Sequence, residues 1–68
     1  MNEFGKKIES LRKGRGVTVK EVGEILGIPQ SRLNELEWGV RIPTAGQIER
    51  LETFFEIGSG ELAAIAAL

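Results

Sequence analysis

The sequence predicts an all-α fold, a single domain over residues 1–68 built as a compact bundle of five short helices. Three observations carry this. Apolar residues recur at helical spacings along almost the whole chain, with no sustained alternation of period two. The pattern Thr-x-x-Glu/Gln, in which a hydroxyl and a carboxyl or amide group satisfy each other's backbone N–H groups at a helix start, occurs at Thr18–Glu21 and again at Thr44–Gln47. Glycines and prolines fall between the periodic segments, where helices have to stop and turn.

Taken in order, Asn2 can cap a first helix whose Phe4, Ile8 and Leu11 form one apolar stripe, and Gly14 and Gly16 end it. The Thr18–Glu21 box starts a second helix at Val19 that carries Val22, Ile25 and Leu26 inward and stops at Gly27. Pro29 lacks an N–H and has its φ fixed near the helical value, so it suits the first turn of a third helix. Leu33 and Leu36 face inward from that helix, which ends before Gly39. The Thr44–Gln47 box follows Pro43 and opens a fourth helix with Ile48, Leu51, Phe54 and Phe55 on its buried side. The segment IGSGELAAIAAL supplies a fifth, with Ser59 as its cap and Leu62 and Ile65 as its first apolar pair. Helices this brief are stable only when packed on one another.

Composition narrows the function. The chain has no cysteine, no histidine and no aspartate, which removes disulfides, thiolate metal sites and most acid–base catalysts. We therefore expect no enzyme, no metal and no cofactor. No apolar run reaches the roughly 20 residues of a membrane span, and the N-terminal segment is amphipathic and of mixed charge, unlike a signal peptide. A cytoplasmic protein is expected. The net charge is only -1, but the charges are unevenly placed. Residues 1–20 hold six cations against Glu3 and Glu9, whereas residues 42–68 hold Arg50 against four glutamates. Solvated helix faces and a long-range pull on a polyanion are both compatible with that asymmetry.

The second and third helices repay reading as a pair. Gly23 stands inside the second, where glycine costs about 1 kcal/mol relative to alanine, and close approach of another backbone is a physical reason to carry that cost. Four residues on, Gly27 makes the turn that sends the third helix back across this point. Val22, Leu26, Ile28, Leu33 and Leu36 then bury the seam of two steeply crossing helices, the layout of a helix-turn-helix.

In the segments LRKGRGVT, KEVGEILGI, SRLNELEWG and RIPT, from about Ile8 to Phe55, the chain resembles the Cro and lambda-repressor family of helix-turn-helix DNA-binding domains, also called the xenobiotic-response-element (XRE) family. The family's elements arrive in order and at the right spacing over about two-thirds of the chain. The resemblance implies a base-reading edge at Gln30, Ser31, Arg32 and Glu35, with Gln30 suited to adenine N6 and N7, Arg32 to guanine O6 and N7, and Glu35 to cytosine N4. It implies DNA-backbone contacts at Thr18, Lys20, Trp38, Arg41 and Thr44, although Trp38 also suits a structural role. It further implies a buried ion pair of Arg12 with Glu37, whose role is structural. One departure is Val19, where the best-known members carry glutamine.

After Glu61 almost no polar side chain remains, and a helix apolar nearly all round needs cover on more than one side. A second subunit docking through Leu62, Ile65, Ala66 and Leu68 supplies that cover, as would chain beyond Leu68. The expected function is a sequence-specific transcriptional regulator, a repressor that binds double-stranded DNA as a homodimer on a two-fold operator. The alternative is a protein-interaction module on the same fold, such as an antitoxin subunit with a protein partner.

Overall fold

The computed structural model describes residues 2–67, and five helices with no strand account for the regular structure among them. The first, α1 (Glu3–Arg15), starts where Asn2 Oδ1 accepts from the Gly5 N–H at 2.7 Å. Phe4 and Ile8 point into the core, with Leu11 packed at its edge. The helix runs through Gly14 and stops only at Gly16.

Both arms of the Thr18 capping box are made at the start of α2 (Val19–Leu26), with Glu21 N–H donating to Thr18 Oγ1 at 3.1 Å and Thr18 N–H to Glu21 Oε1 at 2.9 Å. Val22 is buried and Leu26 lies at the core's edge, but Ile25 departs from expectation and is 63% exposed. The helix has only eight residues and its inward arc is narrow, so Ile25 falls past the edge of that arc.

Gly27 takes φ 69°, the left-handed conformation glycine adopts without a steric penalty, and Ile28 N–H reaches back to the Gly23 carbonyl at 2.9 Å. A methyl group on Gly23 would lie 2.6 Å from the Ile28 carbonyl oxygen, which accounts for a glycine inside the helix. Pro29 occupies the N-cap of α3 (Gln30–Trp38), one position earlier than expected, in an extended conformation. It contributes no side-chain cap.

Leu33 and Leu36 are buried on the inner side of α3, and Glu37 is buried with them. There α1 meets α3 so closely that a Cβ on Gly5 would collide with the backbone carbonyl of Glu37. Gly39 closes α3 in the left-handed conformation.

The fourth helix, α4 (Ala45–Phe54), has the second complete capping box, between Thr44 and Gln47. Leu51 is buried, Ile48 and Phe54 pack at the edge, and Phe55 completes this part of the core from just beyond the helix. Arg50 donates from Nη1 to the Leu26 carbonyl at 2.7 Å, closing the end of α2.

The start of α5 (Glu61–Ala66) differs from expectation. Gly60, not Ser59, stands at the N-cap, with φ 92° and no side-chain bond. The N–H groups of Leu62 and Ala63 donate instead to Glu52 Oε2, at 2.9 and 3.3 Å, so a buried carboxylate on α4 caps the helix. Leu62 is fully enclosed by its own chain, which assigns it to the core and removes it from the expected subunit surface. Leu68, also expected there, lies outside the described residues.

Candidate nucleic-acid interface

The roll of α3 about its axis decides which side chains meet a ligand. Leu33 and Leu36, 1% and 0% exposed, pin one side to the core. A second constraint acts near its C-terminal end, where Arg12 donates to Glu37 from Nε at 2.7 Å and from Nη2 at 3.1 Å, while its Nη1 donates to the Val17 carbonyl at 3.0 Å. The hydrogen bond to Glu37 raises the Arg12 pKa above its ordinary value against the opposing effect of burial, so the guanidinium stays charged. The expected pair is present and spans the α1–α3 seam.

With its inner side fixed, α3 leaves Gln30 and Ser31 exposed and Arg32 and Glu35 half-exposed. Gln30 shares a shallow groove with Lys20, Glu24 and the turn residues Gly27 to Pro29, so the starts of α2 and α3 meet there. The Thr18 hydroxyl oxygen accepts from Glu21 N–H, which leaves its own proton free to donate outward. Thr44 repeats this arrangement at the start of α4. Both threonines are exposed, as is Lys20.

Glu35 is already engaged. Its Oε1 accepts from Arg41 Nε at 2.7 Å and lies 3.7 Å from Arg32 Nε. The Arg41 hydrogen bond is the main reason its pKa is held below the ordinary carboxylate value. Thus Arg32, Glu35 and Arg41 form one cluster, which spacing along the chain did not disclose.

Trp38 is 57% exposed at the end of α3. Val40 and Ile42, not singled out from the sequence, flank Arg41 and are 72% and 89% exposed. Their exposure follows from the short turn between Gly39 and Thr44, which places them beyond reach of the core. Among the described residues no helix is long and apolar enough to cross a membrane.

An outward helix edge after a tight turn, with hydroxyls, amides and guanidinium groups around it, defines a helix-turn-helix module. Residues 8–62 match the model of a family described as Helix-turn-helix, and the chain belongs to that family, in its Cro and lambda-repressor (XRE) branch of DNA-binding domains. It is similar to YazB of Bacillus subtilis (strain 168), described as an uncharacterized HTH-type transcriptional regulator, with 37% identity over 60 residues spanning 88% of this chain and 87% of YazB. No solved structure matches the chain significantly.

Proposed function

We propose that this protein is a cytoplasmic transcriptional regulator that represses by occupancy, binding a two-fold operator as a homodimer. The observation that carries the proposal is the burial of Leu33 and Leu36, which turns Gln30, Ser31, Arg32 and Glu35 outward as the edge offered to a major groove. Lys20 shares the groove with Gln30 and Arg41 pairs with Glu35, and together with the exposed Thr18, Thr44 and Trp38 they are the phosphate donors of this reading. Two such edges about 34 Å apart would enter successive major grooves and exclude a competing protein.

Selection of bound sequences from a random duplex pool tests this reading, the expected product being a two-fold motif. On that duplex Arg32→Ala should lose about 1–3 kcal/mol of binding and relax preference at one base pair per half-site. Lys20→Ala should weaken all sequences alike and lower the salt slope by about one. Uniform loss from both variants would reduce Arg32 to a backbone contact.

The surface we assign to the homodimer is on α5. Its Ile65 and Ala66 are half-buried at the core's edge, and Ala63, Ala64 and Ala67 are exposed beside them. Ala64→Glu adds a charge to that face without entering the core, and sedimentation should then change from dimer to monomer. A wild-type chain that sediments only as monomer at tens of micromolar, a common working range of roughly this order, removes the dimer from the proposal. A second reading, an interaction module such as an antitoxin subunit, draws on exposed Val40 and Ile42 and gains if the selection returns no duplex.

A further inference from the structure

We propose that Glu35 is a positioning residue, holding the guanidinium groups of Arg41 and Arg32 at the α3 edge with their forked ends free for DNA. The proposal rests on the DNA-binding reading above and changes the part Glu35 plays in it. Both arginines approach the same oxygen, Glu35 Oε1, through Nε, at 2.7 and 3.7 Å. Nε is one corner of a guanidinium, and with it engaged the end-on pair of terminal nitrogens stays available for two-pronged recognition of a guanine edge or a phosphate. Among the described residues, neither Arg32 nor Arg41 makes a hydrogen bond through Nη1 or Nη2. The carboxylate therefore holds Arg41 by a hydrogen bond and Arg32 by a looser ion pair, both at Nε, and leaves the terminal nitrogens of each to a ligand.

The pairing also joins separate pieces of chain. Arg32 and Glu35 are one turn apart on α3, while Arg41 is in the turn beyond Gly39, so Glu35 ties that turn to the helix. Arginine side chains are about 40% exposed here and would otherwise sample many rotamers. Ordering them before DNA arrives removes that cost from the binding step. With Oε1 occupied by Arg41, an acceptor role toward cytosine N4 would fall to Oε2.

A carboxylate that only repels DNA and one that positions arginines predict opposite signs. A carboxylate facing a polyanion repels it, so if only its charge mattered Glu35→Ala would bind DNA more tightly. If it positions the two arginines, Glu35→Ala binds the selected duplex about tenfold more weakly, despite the lost negative charge. Glu24→Ala is the control. It removes the same charge from the groove beside Lys20 and Gln30, has no arginine partner among the described residues, and is expected to bind tighter.

A second variant leaves net charge unchanged. Arg41→Lys keeps the cation but has no Nε to be gripped and no fork to present, so it should lose about as much as Glu35→Ala. In the Arg41→Lys background Glu35→Ala should add little further loss, and the base preference of both variants should broaden while both still unfold cooperatively well above the assay temperature. Tighter or equal binding by Glu35→Ala with unchanged base preference overturns the proposal. So does equal loss from Glu24→Ala. A wild-type chain that binds no duplex removes the DNA-binding reading itself, and the inference with it.

Discussion

Arg12→Ala is the most demanding test of how this small fold is held together. The substitution removes two hydrogen bonds to Glu37 and one to the Val17 carbonyl, leaving a carboxylate whose side chain is only 5% exposed without its partner. Breaking a buried pair from one side costs about 3–5 kcal/mol. The arginine side chain is 14% exposed, which admits some water and places the cost near the lower end, at about 3 kcal/mol. A domain of this size has about 3–10 kcal/mol in total, so the loss is a large share of it. Urea unfolding followed by circular dichroism reads it directly. With a slope of about 1 kcal/mol per molar urea, the midpoint should fall by about 3 M. Arg12→Lys, which keeps the charge but not the fork, should lose about half as much. Replacing both Arg12 and Glu37 by methionine should restore most of the stability, because no charge is then stranded. A midpoint shift below about 0.5 M for Arg12→Ala would refute the reasoning, since the pair would then contribute no more than an exposed one.

Four further outcomes follow from the same geometry. Gly23→Ala forces a methyl group against the Ile28 carbonyl, a backbone atom that cannot swing aside, and should cost about 1–3 kcal/mol; an unchanged melting temperature would mean the helices part freely. Glu52→Ala bares the N–H groups of Leu62 and Ala63 and should cost about 1–2 kcal/mol, with faster amide exchange at those two residues as its signature. Glu56 has φ 55° at the turn after α4, so Glu56→Gly should stabilise by about 0.5–1 kcal/mol in thermal unfolding, its exposed pairing with Arg15 offsetting little. Glu21 and Glu35 are both held below the ordinary carboxylate value of 4.5, by the Thr18 backbone N–H and by Arg41 respectively. Their folded pKa values are depressed, so the stability they contribute is present above pH 4.5 and lost as the pH falls through the lower folded values. A Glu21→Gln, Glu35→Gln double variant should therefore show a flatter acid limb of urea midpoint against pH; parallel limbs would exclude both groups.

What the sequence disclosed divides by distance along the chain. The two capping boxes were legible because their partners are three residues apart, within one helical turn, and both are made. The turn at Gly27 and the inward faces of Leu33 and Leu36 were legible for the same reason. Arg12 and Glu37 are separated by 25 positions, and family resemblance rather than spacing paired them. The features missed depend on partners that periodicity does not reach. Ser59 looked like a cap, but Glu52 from another helix reaches those N–H groups first. Leu62 looked available to a partner subunit because six consecutive apolar or small residues follow it, yet α4 and α1 enclose it. Gly5 gave no signal at all, since its reason for being glycine is a carbonyl 32 positions away. Glu35 looked like a group facing a groove, and its capture by Arg41 depends on how the turn after Gly39 folds back.

Arg50 and Glu52, two positions apart on α4, each finish a neighbouring helix, and they do so at opposite poles. The cation meets the carbonyl end of α2, where the helix dipole is negative, and the anion meets the amide end of α5, where it is positive. Exchanging the two residues would preserve composition, net charge and the polar character of α4. It would also set like against like at both junctions, so the order of two charges on one helix encodes which way its neighbours run.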